Sequence, residues 1–245
     1  MSTMKRIALL IDCDNVSHSS IEGVLAELAN YGVVNVRHAH GDWNSASLAG
    51  WRDKLHPNAI RPMQQFAYTK GKNATDSAMI IDAMDLLYSK SVDAFALMTS
   101  DSDFTPLVLR IHENGLPVYG FGEKKTPQPF VDACSPFIYT ENLAAEDDEK
   151  PDTPKQLVKK NRNELRGDTS MVRLLRTAAE QTSEDDGWSD MSKVAHYISN
   201  NSSFSSINYG YKKPGDLIRA SELFDVEMRK DDKAMYIKDM RKGST

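Results

Sequence analysis

Ile7-Ala-Leu-Leu-Ile-Asp12-Cys-Asp-Asn15 sets five apolar residues before an acid, a spacer and a second acid, and Ala94-Phe-Ala-Leu-Met-Thr-Ser-Asp101-Ser-Asp103 repeats the pattern. An apolar run with no polar alternation is the pattern of a strand buried on both faces, as in a parallel sheet covered by helices. One run ending in charge marks only where the chain meets water. Two such runs predict a sheet whose carboxyl edge collects carboxylates, the edge beyond which open α/β sheets bind their ligands.

Outward from these runs, strand-like segments at 6–12, 33–38, 60–67, 94–99, 117–121 and 136–139 alternate with helical patterns near 18–30, 45–54, 75–89, 103–114 and 127–133. The expectation is an α/β domain over residues 1–143, a mostly parallel sheet with helices on both faces. Periodicity then fails over 144–167, where the acidic clump from Glu146 to Glu149 gives way to Lys155, Lys159, Lys160, Arg162 and Arg166; this reads as a charged linker. Those cations are either phosphate contacts or a solvated tether. Residues 168–241 predict helices at 169–181, after Trp188 and at 214–221, then a hairpin over 223–228 and 234–237, together a small winged helix.

The net charge of −5 over 245 residues gives no overall field to attract a polyanion, so nucleic-acid binding must rest on local patches. Two cysteines exclude a disulfide framework and a four-cysteine zinc site, and no signal or long apolar span is evident. The expected setting is soluble, reducing and cytoplasmic, with no membrane partner. Cys13, between two acids, is read as a small buried residue at a strand end, against the alternatives of metal neighbour or nucleophile.

Asp12, Asp14, Asp101 and Asp103 are expected at one sheet edge, joined by Asp76 of Lys70-Gly-Lys-Asn-Ala-Thr-Asp76, which opens a helix with Ile80, Ala83, Met84 and Leu87 as its apolar stripe. Gathered carboxylates repel unless a cation neutralises them, and hard oxygen donors suit Mg²⁺ or Mn²⁺. Metal-assisted phosphodiester hydrolysis is the chemistry such a set supports, with Asp12, Asp76, Asp101 and Asp103 as catalytic ligands and Asp14 as a further one. An acid in a first helical turn also satisfies the helix dipole, which is the plainer role for Asp76. Asn15 and Ser100 are candidates to hold substrate, a water or the carboxylates, in competition with capping and strand-end hydrogen bonds. Lys70 and Lys72 fit phosphates or solvent equally. Asp82 and Asp85, further along the helix, read as structural. His38 and His40 alternate along one strand and could face one metal together, although ordinary polar strand-end residues have the same spacing.

Asp12-Cys-Asp14-Asn-Val16 also fits the nucleophile loop of haloacid-dehalogenase-like phosphatases, with Asp12 attacking phosphorus and Asp14 as acid/base. Those enzymes need a flap after the loop and a lysine downstream of a strand-end Ser or Thr. Here residues 17–31 pass directly into a helix, and Lys70 precedes Thr99.

Taken together, Ile7 to Val16, Lys70-Gly71 followed by Asp76, and Thr99 to Phe104 resemble the NYN domain family, PIN-like nuclease domains, over about residues 4–143. The resemblance implies a Mg²⁺- or Mn²⁺-dependent ribonuclease fold whose acids are Asp12, Asp76, Asp101 and Asp103, with Asn15 in the first motif. Asn73 stands where several relatives carry an acid, which leaves that position to Asp76. Leu174 to Ala179, Gly187-Trp188 and Asn208-Tyr-Gly-Tyr-Lys-Lys213 resemble the OST-HTH, or LOTUS, family. That resemblance implies a winged helix that binds RNA, including guanine-rich folded forms, or docks a protein partner. Tyr209, Tyr211, Lys212 and Lys213 offer rings and cations for unpaired bases, unless the tyrosines are buried supports of the turn. The expectation is an RNA-cleaving domain with an RNA-holding module; the alternative is a catalytically silent RNA-binding adaptor of the same fold.

Overall fold

A computed structural model describes residues 4–64, 74–143, 158–229 and 233–243. The chain divides into two units, Met1–Thr153 and Pro154–Thr245.

In the first unit, β1 (Lys5–Asp12), β2 (Gly32–Gly41), β3 (Arg61–Gln64), β4 (Ala94–Met98), β5 (Val118–Gly122) and β6 (Phe137–Tyr139) form one sheet in the order β3-β2-β1-β4-β5-β6. Every pairing is parallel. β1 from Ile7 onward and all of β4 and β5 are buried, as unbroken apolar runs require when helices cover both faces. α1 (Ile21–Leu28), α2 (Ala49–Leu55), α3 (Ala74–Ser89), α4 (Thr105–Glu113) and α5 (Gln128–Ala133) connect the strands. On one face, Ala8, Leu10, Phe95 and Leu97 pack against Met79 and Ala83 of α3 and Val108 and Ile111 of α4. Strand order turns around between β1 and β4, which opens a crevice at their carboxyl ends. Both acid pairs follow those two strands.

Three of the expected helices begin with a tight 3₁₀ turn, at His18–Ser20, Ala46–Leu48 and Ser102–Phe104. The side chains of Ser17, Ser45 and Asp101 accept the first free amides of these turns, so the polar cap shifts each α-helix a few residues later than periodicity alone predicts.

β2 extends to Gly41, beyond its expected end at 38. Its register against β1 slips once: Ile7 pairs with Val34 but Ala8 with Val36, leaving Asn35 as an extra residue in a bulge. Beyond it, His38 lies beside Leu10 and His40 beside Asp12. Since side chains alternate faces along a strand, the bulge turns both histidines toward α3; an unbroken register would have brought Arg37 and Ala39 there.

The second unit holds α6 (Arg162–Gly167), α7 (Thr169–Gln181), β7 (Ser189–Asp190), α8 (Met191–Asn201), α9 (Pro214–Ser221), β8 (Phe224–Arg229) and β9 (Ala234–Asp239). Its antiparallel strands run in the order β7-β9-β8, completing the expected winged helix. Leu165, Leu175, Ala178, Val194, Leu217, Ile218 and Ile237 form its core.

The stretch 162–167, expected to end the linker, is instead helix α6. Asn161 and Glu164 form a reciprocal capping box at its start, and Leu165 is fully buried. One apolar residue in a six-residue helix is too little periodicity to register against four charged or polar neighbours, yet it suffices to dock the helix. Gly210 closes a turn at φ 84°, and a side chain there would meet Val158 O at 2.6 Å. Only glycine meets both demands.

Candidate active site

Asp12 closes β1 and is fully buried. Its Oδ2 accepts from the Thr99 hydroxyl at 2.7 Å and from Asn15 Nδ2 at 2.8 Å, while its Oδ1 is buried with no hydrogen-bond partner. Burial pushes the Asp12 carboxyl above its ordinary range, against the pull of Thr99 and Asn15. Asn15 therefore meets the carboxylate itself, one of the roles its position allowed.

Thr99 follows β4 and couples the two acid pairs. While donating to Asp12, its Oγ1 accepts the Asp101 amide at 3.1 Å. Asp101 in turn caps the 3₁₀ turn by accepting the Asp103 amide at 2.9 Å. Asp101 is half-buried, and Asp14 and Asp103 are exposed.

Asp76 stands in the first turn of α3. Its carboxyl is pushed up to about 6, by burial first and then by the charges of Asp12, Asp101, Asp103 and Asp14 in that order. Three separate parts of the chain thus place their acids within one another's fields at the sheet edge. They do not close into a tight cage: among the described residues, the trio with donor atoms all within 4.8 Å of one another is His38, His40 and Asp82. Like charges without a counter-ion hold each other apart, and Mg²⁺ ordinarily keeps several waters and takes only one or two carboxylates directly. Oxygen donors, an orphaned buried carboxylate oxygen and a half-open acid with a raised pKa together fit a hard divalent ion.

The other expected site residues fall differently. Lys70, Lys72 and Asn73 lie outside the described residues. Ser100 is buried and its Oγ accepts the Glu123 amide at 2.9 Å, tying the end of β4 to the end of β5. Cys13 is buried beside Asp12 and Asp14, and burial raises its thiol far above the range of a reactive thiolate.

In the second unit, Tyr211 is buried and its hydroxyl donates to Lys160 O at 2.8 Å; it supports the turn, and its ring is not presented for base stacking. Tyr209 is half-buried, donates to Asp168 Oδ2 at 2.8 Å and leans on Phe204 with ring centroids 5.6 Å apart. Lys160 Nζ lies 4.5 Å from the Tyr209 ring centre, so a cation already covers that ring. Lys212 and Lys213 are exposed. Asp82, read from the sequence as structural, has its Oδ2 against His38 Nδ1 at 2.7 Å and His40 Nε2 at 3.0 Å, partners that its position in the helix did not reveal. The alternation of the two histidines was the available signal.

A covered parallel sheet with acids gathered at its switch point, followed by a small helix-and-hairpin unit, defines a PIN-like α/β domain joined to a winged helix. The NYN domain model matches residues 6–143, and the protein belongs to the NYN domain family. The OST-HTH/LOTUS domain model matches residues 167–236. NYN domains are nuclease-like, and OST-HTH domains are RNA-binding modules.

Among solved structures, the chain is similar to a protein of unknown function, VPA0982, from Vibrio parahaemolyticus, with 21% identity, 57% of this chain and 94% of that chain covered, and a TM-score of 0.48. It is also similar to an uncharacterized protein from gene locus NE0665 of Nitrosomonas europaea, with 26% identity, 39% and 88% covered, and a TM-score of 0.27. At these scores neither bears on the site. No curated protein matches the chain significantly.

Proposed function

We propose that the protein is a metal-dependent ribonuclease, its first unit hydrolysing RNA phosphodiester bonds and its second holding the RNA. The observation that carries this reading is the mutual field of Asp12, Asp14, Asp76, Asp101 and Asp103 around an Asp12 oxygen left without a partner. Mg²⁺ or Mn²⁺, when bound, supplies an activated water and neutralises the phosphoryl oxygens. The chain's own residues do the rest. Thr99 and Asn15 fix Asp12 through one oxygen and leave the other for the ion. Asp76 and Asp101 are the next ligands, with Asp103 and Asp14 at the exposed rim. Lys212 and Lys213 contact phosphate, as do Lys70 and Lys72, in sequence beside Asp76. Two buried free cysteines support a reducing, cytoplasmic setting. Among the described residues no helix is long and apolar enough to cross a membrane.

Purified protein with Mn²⁺ should cleave RNA, and Asp12→Asn or Asp101→Asn should abolish cleavage while leaving the fold intact. Undiminished cleavage by both variants would overturn the assignment. The spread of the aspartates favours a second reading, a silent RNA-binding adaptor that docks RNA or a protein partner through its second unit. RNA retention without products at saturating Mn²⁺ would select it.

A further inference from the structure

Asp82, His38 and His40 form a polar group next to the aspartate cleft but sharing no residue with it, on the face of the sheet that α3 covers. Burial raises the Asp82 carboxyl, but hydrogen bonds and charge from both imidazoles outweigh it and hold the carboxyl below its ordinary range. Its Oδ2 faces His38 Nδ1 at 2.7 Å and His40 Nε2 at 3.0 Å. His40 Nδ1 is buried and has no partner.

We propose that this trio is a second metal site, taking a borderline divalent ion such as Zn²⁺ on His38 Nδ1, His40 Nε2 and an Asp82 oxygen. Four observations carry it. The three donor atoms already lie within 4.8 Å of one another. Two imidazoles and a carboxylate are a donor set for Zn²⁺ and its neighbours, where the all-oxygen cleft suits Mg²⁺ or Mn²⁺. Opening the present 2.7 and 3.0 Å contacts to the roughly 3.3 Å between tetrahedral ligands is a small adjustment of side chains held on two regular elements. His38 and Asp82 are each 15% exposed, which leaves water access to a fourth position.

An ion here would brace β2 against α3, the helix that carries Asp76. The proposal does not depend on cleavage activity.

The test uses the full chain with Asp12→Asn and Asp101→Asn, which disarms the cleft, and Co²⁺ as a visible probe for the Zn²⁺ position. One equivalent of Co²⁺ should bind, with a ligand-field absorption band of low coordination number and a raised melting temperature, and excess Mg²⁺ should not displace it. His38→Gln, which keeps a hydrogen bond to Asp82 but removes the imidazole ligand, should weaken binding at least ~10-fold. Asp82→Asn should do the same, with circular dichroism in chelator reporting that each variant is folded. No Co²⁺ uptake by the cleft-disarmed protein, or full uptake by folded His38→Gln, would overturn the proposal and leave the trio as a hydrogen-bonded cluster only.

Discussion

The Thr99 hydroxyl donates to Asp12 Oδ2 at 2.7 Å across 87 positions of sequence, and Thr99 Oγ1 itself accepts the Asp101 amide. One small side chain therefore joins the ends of two neighbouring strands and sets the orientation of both acids. Thr99→Val keeps the shape and removes both bonds. It should cost about 1–3 kcal/mol, the price of leaving buried polar groups unsatisfied, read as a lower urea midpoint at unchanged slope. Mn²⁺ affinity should fall with it.

Asp76 gives a pH dependence with a definite sign. Its folded pKa of about 6 lies above the ordinary 3.8, so between these values the folded chain binds more protons than the unfolded one. The contribution of Asp76 to metal-free stability therefore rises as pH falls through that window. Asp76→Asn should stabilise the metal-free protein at pH 8 by about 1 kcal/mol, solvent around this half-open side chain screening the remainder. The advantage should shrink as pH falls from 6 and vanish by about pH 3, below both values, where Asp76 is protonated in both states. Denaturant melts of the two proteins at several pH values check it, and Mn²⁺ binding should weaken below pH 6 as protons compete for the same carboxylate.

Leu165 anchors α6 in the second unit's core. Leu165→Ala should cost about 2–5 kcal/mol, the range for an emptied leucine site. A true linker residue would cost nothing measurable. Limited proteolysis should then cut the variant within the second unit under conditions that spare the parent.

Tyr211 and its neighbours separate support from contact. Tyr211→Phe removes the bond to Lys160 O, and should lower stability by about 1 kcal/mol without altering RNA affinity. Lys212→Ala with Lys213→Ala should do the reverse, weakening RNA binding and flattening its salt dependence by up to two phosphate contacts' worth. Fluorescence anisotropy at several salt concentrations distinguishes the two.

The three strands were legible because Ile7–Ile11, Ala94–Met98 and Val118–Gly122 carry no interior charge, and the acids ending the first two marked the switch point. What escaped was set by contacts distant in sequence. Nothing local distinguishes Asp82 from a surface acid until β2 is laid against α3. Tyr211 looked like a stacking platform because a tyrosine beside two lysines has the same spelling whether its ring is buried or bare. For α6, the Asn161–Glu164 capping box was present in the sequence, but a six-residue helix with a single apolar contact has no period to detect.

β2 tolerates no change of phase between the bulge and its end. Removing the single codon for Asn35 would only close the bulge and keep Leu10 beside His38 and Asp12 beside His40, whereas drawing Asn35 into the ladder would put a guanidinium and a methyl group in place of the two imidazoles. In a lineage of such chains, point substitution could adjust the affinity of this edge, but a one-residue insertion between the bulge and the histidines would erase it in a single step.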